Sequence, residues 1–372
     1  MTDARWDGAR HVLAVRLDGV GDVLMTTPAL RALRSVPGTR ITLLASSTGA
    51  RIARLVPEID DVLVYDPPWM KHGARAGADE DRAVIDGLAS RGFEGAIVFT
   101  TFSQSALPAA MACRLAGIPL RAAHCRENPY AVLTEWVPDP EPVAGIRHEV
   151  RRQLDLVASV GRRTRNETLS LAVPDAARAR VEERLGDAGI AADVPWVVVH
   201  PGATAPSRRY PSDRFADVAS RLGDEGIGIV FTGSRDERGD VEAVRSSAGC
   251  GTSLAGDLDL AELAVLLASA WVVVTNNSAP SHIAAAVGTP VVDLYAYTNP
   301  QHIPWGVPSR VLYQDVSCRN CLKSVCPMGH HACLRGVPAE RVVSAVFELL
   351  AETSGRHVRA EDPRRLLSTT RG

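Results

Sequence analysis

Short apolar runs alternate with helix-patterned stretches along nearly the whole chain. Residues 11–17 (HVLAVRL) form the first run and read as a buried strand. The turn Asp18-Gly19-Val20-Gly21-Asp22 follows it. Residues 24–36 then carry helical spacing, with Thr27 as the expected cap and Pro28 at the first helical position. Further strands are expected at 41–45, 62–65 and 96–100, and helices at 79–90 and 105–116. Such alternation implies a parallel sheet wound with right-handed crossovers. A Pro-rich loop at 138–142 leads to an amphipathic helix over 148–160, and 169–174 reads as an extended link.

The pattern then restarts. Strands are expected at 196–200, 228–232, 271–274 and 289–294, and helices at 212–222, 235–247, 260–268 and 283–287. Gly288 and Pro290 stop the last of these helices. A chain of 372 residues exceeds one domain of ordinary size, and its 46% hydrophobic content is ample for two cores. Two successive α/β halves therefore suit an enzyme that holds one substrate on each.

Composition narrows the function by exclusion. A net charge of -2 offers no electrostatic footprint for nucleic acid. The start of the chain lacks a cationic region followed by an apolar run, and no stretch approaches the roughly 20 apolar residues that span a bilayer. The expected location is the cytoplasm.

The chemistry concentrates in strand-to-helix turns, where α/β proteins bind ligands. In Thr275-Asn276-Asn277-Ser278-Ala279-Pro280-Ser281-His282, Asn277 and Ser278 suit a helix N-cap, and the amides there attract anions, phosphate above all. In the turn from His200 to Tyr210, Thr204 and Ser207 supply hydroxyls and amides, and Arg208 and Arg209 supply forked donors for phosphate oxygens. Two adjacent arginines on a loop also fit simple solvation. Glu237 closes the next strand, as an acceptor for sugar hydroxyls or as an acid favoured by the helix dipole. The first turn is a poor dinucleotide fingerprint, because the third Gly of G-x-G-x-x-G is missing and Ser46-Ser47 stands where a ribose-binding acid belongs. Asp22 reads instead as a carboxylate aimed into a cleft, or as a cap on the following amides.

Three stretches resemble glycosyltransferase family 9, the bacterial ADP-heptose:lipopolysaccharide heptosyltransferases: RLDGVGDVLMTTPALRALR, HPGATAPSRRYPSDRFADVA and TNNSAPSHIAAAVGTPVVDLY, in that order within residues 11–350. The resemblance implies a GT-B architecture, with two Rossmann-like domains whose parallel sheets face a central cleft. Residues 1–166 would bind the acceptor and 175–350 the nucleotide sugar, while the tail 351–372 would either cross back to the first domain or form a disordered basic end. It further implies inverting transfer of a heptose or related sugar from an ADP-sugar to a hydroxyl of a glycan or glycolipid acceptor, such as lipopolysaccharide inner core. The enzyme would then work at the inner membrane surface and need no cofactor for catalysis. By the same resemblance Asp22 is the general base. Thr204, Ser207, Arg208, Glu237, Asn277, Ser278, Ala279 and His282 hold the donor. Gly21, Arg51, Arg54, Arg121 and Arg126 are the acceptor-side candidates. The chain departs from the family at Asn277-Ser278-Ala279, where Asp-Ser/Thr-Gly is usual, which leaves the identity of the sugar open. A non-hydrolysing nucleotide-sugar 2-epimerase and a catalytically silent nucleotide-sugar-binding protein are the alternatives.

One further cluster stands apart. Cys318, Cys321, Cys326 and Cys333 gather four of the seven cysteines into the loop 318–333. That grouping fits a structural zinc site, an iron–sulfur cluster or simply reduced thiols.

Overall fold

The computed structural model describes residues 4–71, 77–190, 194–296 and 298–357. The chain divides into two compact units, one of residues 1–173 with 300–306, the other of 174–299 with 307–372.

In the first unit, β1 (His11–Arg16), β2 (Arg40–Ala45), β3 (Asp61–Val64), β4 (Gly95–Val98), β5 (Leu120–Cys125) and β6 (Glu135–Pro138) form a six-stranded sheet in the order β3-β2-β1-β4-β5-β6. Every pairing in it is parallel. The connecting helices are α1 (Val20–Leu33), α2 (Ser47–Ala53), α3 (Ala78–Ala89), α4 (Leu107–Leu115) and α5 (Glu149–Ser159). Leu13, Val15, Val98 and Ala123 from the strands pack with Ala110 and Cys113 of α4. Strands covered on both faces read as unbroken apolar runs, which is why periodicity two is absent here.

The second unit opens with α6 (Asp175–Asp187) and holds β7 (Trp196–His200), α7 (Ser212–Asp224), β8 (Gly228–Phe231), α8 (Arg238–Ala248), β9 (Thr252–Ser253), α9 (Leu260–Ser269), β10 (Val272–Asn276), α10 (Ala279–Val287), β11 (Val291–Leu294), β12 (Ser309–Leu312), α11 (Ala332–Arg335) and α12 (Ala339–His357). Its sheet is also parallel, in the order β12-β11-β10-β7-β8-β9. Val197, Val199, Val274 and Val292 pack with Phe215 of α7 and Leu349 of α12. Left-handed Gly288 (φ 82°) ends α10, as its sequence predicts.

One reading needs correction. The first helix begins at Val20, so Thr27 and Pro28 lie buried in its interior. Asp22 caps the start instead, accepting from the Gly19 amide at 3.2 Å. As for the tail, residues 351–357 finish α12, and 358–372 lie outside the described residues. No helix among the described residues is long and apolar enough to cross a membrane.

Candidate active site

In each unit the strand order reverses at one point, β1/β4 in the first and β7/β10 in the second. Loops leaving the carboxyl ends of such strands part to opposite sides and leave a crevice. Most of the candidate site residues lie at these two places.

In the first unit, Arg16 ends β1 with its side chain 0% exposed. Its guanidinium meets Asp18 at 3.1 Å, Asp22 at 2.9 Å and Glu149 at 2.9 Å. Burial alone would lower its pKa, but the three carboxylates outweigh that and raise it. Asp22, in the first turn of α1, keeps 23% of its side chain exposed. It is thus fixed from behind by Arg16 and Gly19 while one side stays open. Gln104, after β4, donates to Asp18 at 2.6 Å. Glu149 opens α5 and takes a further bond from Gln153 at 2.6 Å. Burial pushes the Glu149 carboxyl up to about 7 and the nearby Asp22 adds to this, with Arg16 and Arg152 opposing.

The last member of this group comes from far along the chain. Residues Pro300–Gly306 belong to the first unit. They bring His302 Nε2 within 4.0 Å of Asp22 and 3.9 Å of Glu149. Trp305 pins the strap: its ring packs on His148 with centroids 4.5 Å apart, and its indole N–H donates to the Glu167 carbonyl.

In the second unit, Asn276 holds the two loops at the switch point together. Its Oδ1 accepts from the Tyr210 amide at 2.9 Å, and its Nδ2 donates to the Pro201 carbonyl at 2.7 Å. Glu237 lies under Gly202, where a Cβ would collide with the carboxylate, and accepts from the Ser234 amide. Burial works against its charge, yet that amide and His200 keep its pKa below the usual range. His200 itself is buried, which drives its pKa down to about 4, and it lies 3.0 Å from the Thr232 hydroxyl. Ser278 stands at the N-cap position of α10 without capping it, since its hydroxyl donates to the Asn276 carbonyl at 3.2 Å, and Ala279 is the first helical residue. Asn277 Nδ2 and Arg208 Nε are buried and make no hydrogen bond among the described residues. Beneath them, Ser281 of α10 donates to Asp293 of β11 at 3.2 Å. Burial pushes the Asp293 carboxyl up to about 8, with Ser281 and Arg208 pulling the other way. The resulting arrangement is a helix N-terminus, a guanidinium and the unbonded Asn277 side-chain amide around one turn, which suits a diphosphate.

The family model for glycosyltransferase family 9 (heptosyltransferase) matches residues 82–332. The chain belongs to glycosyltransferase family 9. Lipopolysaccharide heptosyltransferase 2 of Salmonella typhimurium is 26% identical over 352 residues, covering 92% of this chain and 99% of that one. Among solved structures, a family 9 glycosyl transferase from Veillonella parvula superposes with a TM-score of 0.77 at 23% identity, over 92% of this chain and 98% of its own. Escherichia coli ADP-heptose lipopolysaccharide heptosyltransferase II gives 0.72 at 22%, over 92% and 99%. The fold of this glycosyltransferase is thus of the GT-B class.

Several expected site residues of the glycosyltransferase stand elsewhere in the chemistry. Arg121 is buried, and its guanidinium is spent on the carbonyls of Ile118, Pro119, Ala131 and Val132, so it is no acceptor contact. Ser207 is buried, and its hydroxyl donates to the Lys323 carbonyl at 2.7 Å, anchoring the Cys-rich loop instead of facing a phosphate. Arg51, Arg54, Arg126 and Thr204 are exposed, and Gly21 is half-buried. Among the described residues, no group of three or more His, Cys, Asp or Glu is placed to hold a metal ion. Cys318, Cys321, Cys326 and Cys333 therefore form no such set. Cys318 lies 3.8 Å from His330, and Cys326 sits among main-chain amides from Met328 to His331. The sequence reading passed over Arg16, Glu149, His302, Asn276 and Asp293. The one local signal was Arg16, a charge inside an otherwise apolar strand.

Proposed function

We propose that this glycosyltransferase transfers a heptose from ADP-heptose, with inversion, to a hydroxyl of a glycan acceptor such as lipopolysaccharide inner core. The supporting observation is Asp22, a carboxylate locked by a fully buried Arg16 and open on one side. In this reading Asp22 takes the proton of the acceptor hydroxyl as its oxygen attacks the anomeric carbon. Residues 1–166 serve the acceptor, with Gly21, Arg51, Arg54 and Arg126 nearest its sugar or phosphate groups. Residues 175–350 hold the donor. Arg208, the α10 amides and Asn277 neutralise the departing diphosphate. Glu237 accepts from the ribose, while Thr204, Ser278, Ala279 and His282 complete the grip on the diphosphate and the sugar. The chain of the Salmonella relative is matched almost end to end, which supports the same donor and acceptor class here.

The test is an assay with ADP-heptose and a heptose-acceptor core oligosaccharide, comparing the wild type with Asp22→Asn. The reading requires ADP release coupled to a product of inverted anomeric configuration. In the variant, transfer should fall by about 10²–10⁴-fold with ADP-heptose affinity retained. Product formation that survives the substitution defeats it.

A further inference from the structure

Asp22 does not sit alone with Arg16. The groups facing it are Arg16 from β1, Asp18 from the turn, Glu149 from α5 and His302 from the returning strap. Arg152, one turn along α5, is the remaining charge near Glu149, and it is engaged by Asp139. One guanidinium is thus shared by three carboxylates. Glu149 is fully buried while Asp18 and Asp22 keep 13% and 23% of their side chains exposed, and crowding the three carboxylates on one guanidinium makes them repel one another. Repulsion of this kind favours a proton on one member of the group.

The geometry says which. Asp18 is engaged by both Arg16 and Gln104. Glu149 gives its Oε1 to Arg16 and Gln153, but its buried Oε2 accepts no hydrogen bond among the described residues. That oxygen is the one facing His302, at 3.9 Å. His302 in turn lies almost equally far, 4.0 Å, from the Asp22 oxygen that Arg16 holds.

We infer that Glu149 and His302 are positioning residues that set the strength of Asp22 as a base by holding or releasing a proton behind it. This rests on the reading of Asp22 as the base. With Glu149 ionised, a second negative charge shares Arg16 with Asp22, and Asp22 becomes a stronger proton acceptor. With Glu149 protonated, or with a protonated His302 between the two carboxylates, Asp22 is weakened. Burial places the Glu149 carboxyl at about 7, so the exchange falls in the working range. Raising the pH through neutrality takes the proton from Glu149, and the rate of transfer should climb.

The experiment is kcat for transfer against pH from 5.5 to 9, at saturating donor and acceptor, for the wild type and for Glu149→Gln, Glu149→Asp, His302→Gln and Asp22→Asn. Circular dichroism melts check that each variant is folded. The wild type should show a rise centred near neutral pH. Glu149→Gln should lose that rise and run about 3- to 10-fold below the wild-type plateau, with KM for the donor unchanged. Glu149→Asp should restore a titrating limb. His302→Gln, by replacing the imidazole 3.9 Å from Glu149 Oε2 with an uncharged amide, should shift the midpoint of the limb. A Glu149→Gln profile that keeps the wild-type limb overturns the inference, as does a flat profile in Glu149→Asp. If instead Asp22→Asn itself retains transfer, the fault lies with the base assignment, so the two failures are told apart.

Discussion

Arg16 donates to Asp22 across 2.9 Å from a side chain that has no exposed surface, so the proposed base is oriented by a charge that water does not screen. Removing that charge leaves Asp18 and Glu149 buried beside each other with Asp22 uncompensated. Arg16→Met should therefore lower stability by about 3–5 kcal/mol, against less than half of that for a lone surface arginine such as Arg51. Urea titrations of the two variants give the comparison directly.

Gly202 is required by the side chain beneath it. Since a Cβ there would occupy the place of the Glu237 carboxylate, Gly202→Ala must push Glu237 aside. If Glu237 holds the nucleoside of the donor, ADP affinity measured by calorimetry should fall by roughly 10- to 100-fold. Gly239→Ala, on α8 with open space around its Cβ position, should leave that affinity at the wild-type value.

Asn276 makes three bonds that tie the loop after β7 to the end of β10. Asn276→Ala leaves the Tyr210 amide and the Pro201 carbonyl without the bonds Asn276 supplies, while the Gly202 carbonyl keeps the Ser278 hydroxyl. A loss of about 1–3 kcal/mol in unfolding free energy is expected. Asn277→Ala, whose Nδ2 bonds to nothing among the described residues, should cost less stability but more donor affinity.

Asp293 gives a dependence of stability on pH. Its folded-state pKa of about 8 lies above the ordinary value of 3.8, so the folded chain holds a proton that the unfolded chain releases. Its contribution is complete below about pH 4 and is lost as the pH rises towards 8. Asp293→Asn should flatten the decline of Tm between pH 5 and 8, and at pH 8 it should melt a few degrees above the wild type, roughly 2–4 °C per kcal/mol.

The four thiols of the Cys-rich loop are half-buried. Slight burial would raise the Cys326 pKa, but the amides of His331, Met328, Gly329 and His330 outweigh it and lower it. Cys326 should therefore be the first cysteine alkylated by iodoacetamide at pH 7.5, and buried Cys113, held up to about 12 by burial, the last. Peptide mass mapping over time resolves the order.

Much of the fold was legible because parallel strands buried on both faces leave apolar runs that local pattern finds. The turns around Asp22, Arg208 and Asn277 were legible for the same reason, since each follows such a run. What escaped depended on distance along the chain. Nothing local marks Glu149 as the partner of Arg16, or His302 as a neighbour of Asp22, because 280 positions separate the last two. Arg121 stood among the acceptor-side candidates because sequence cannot show four carbonyls converging on a guanidinium. Pro28 misled for a physical reason as well. Proline favours the first turn of a helix, yet here it is tolerated two turns in, and Asp22 had already set the start.

The polypeptide passes from one unit to the other at residues 173–174, 299–300 and again at 306–307. Cutting the gene at the first of these would yield an amino-terminal fragment without Trp305 and His302, and so without the clasp on α5. The two halves are consequently not separable as consecutive pieces. A split version of this enzyme would need residues 300–306 grafted back onto its first half before that half could keep its charge cluster closed.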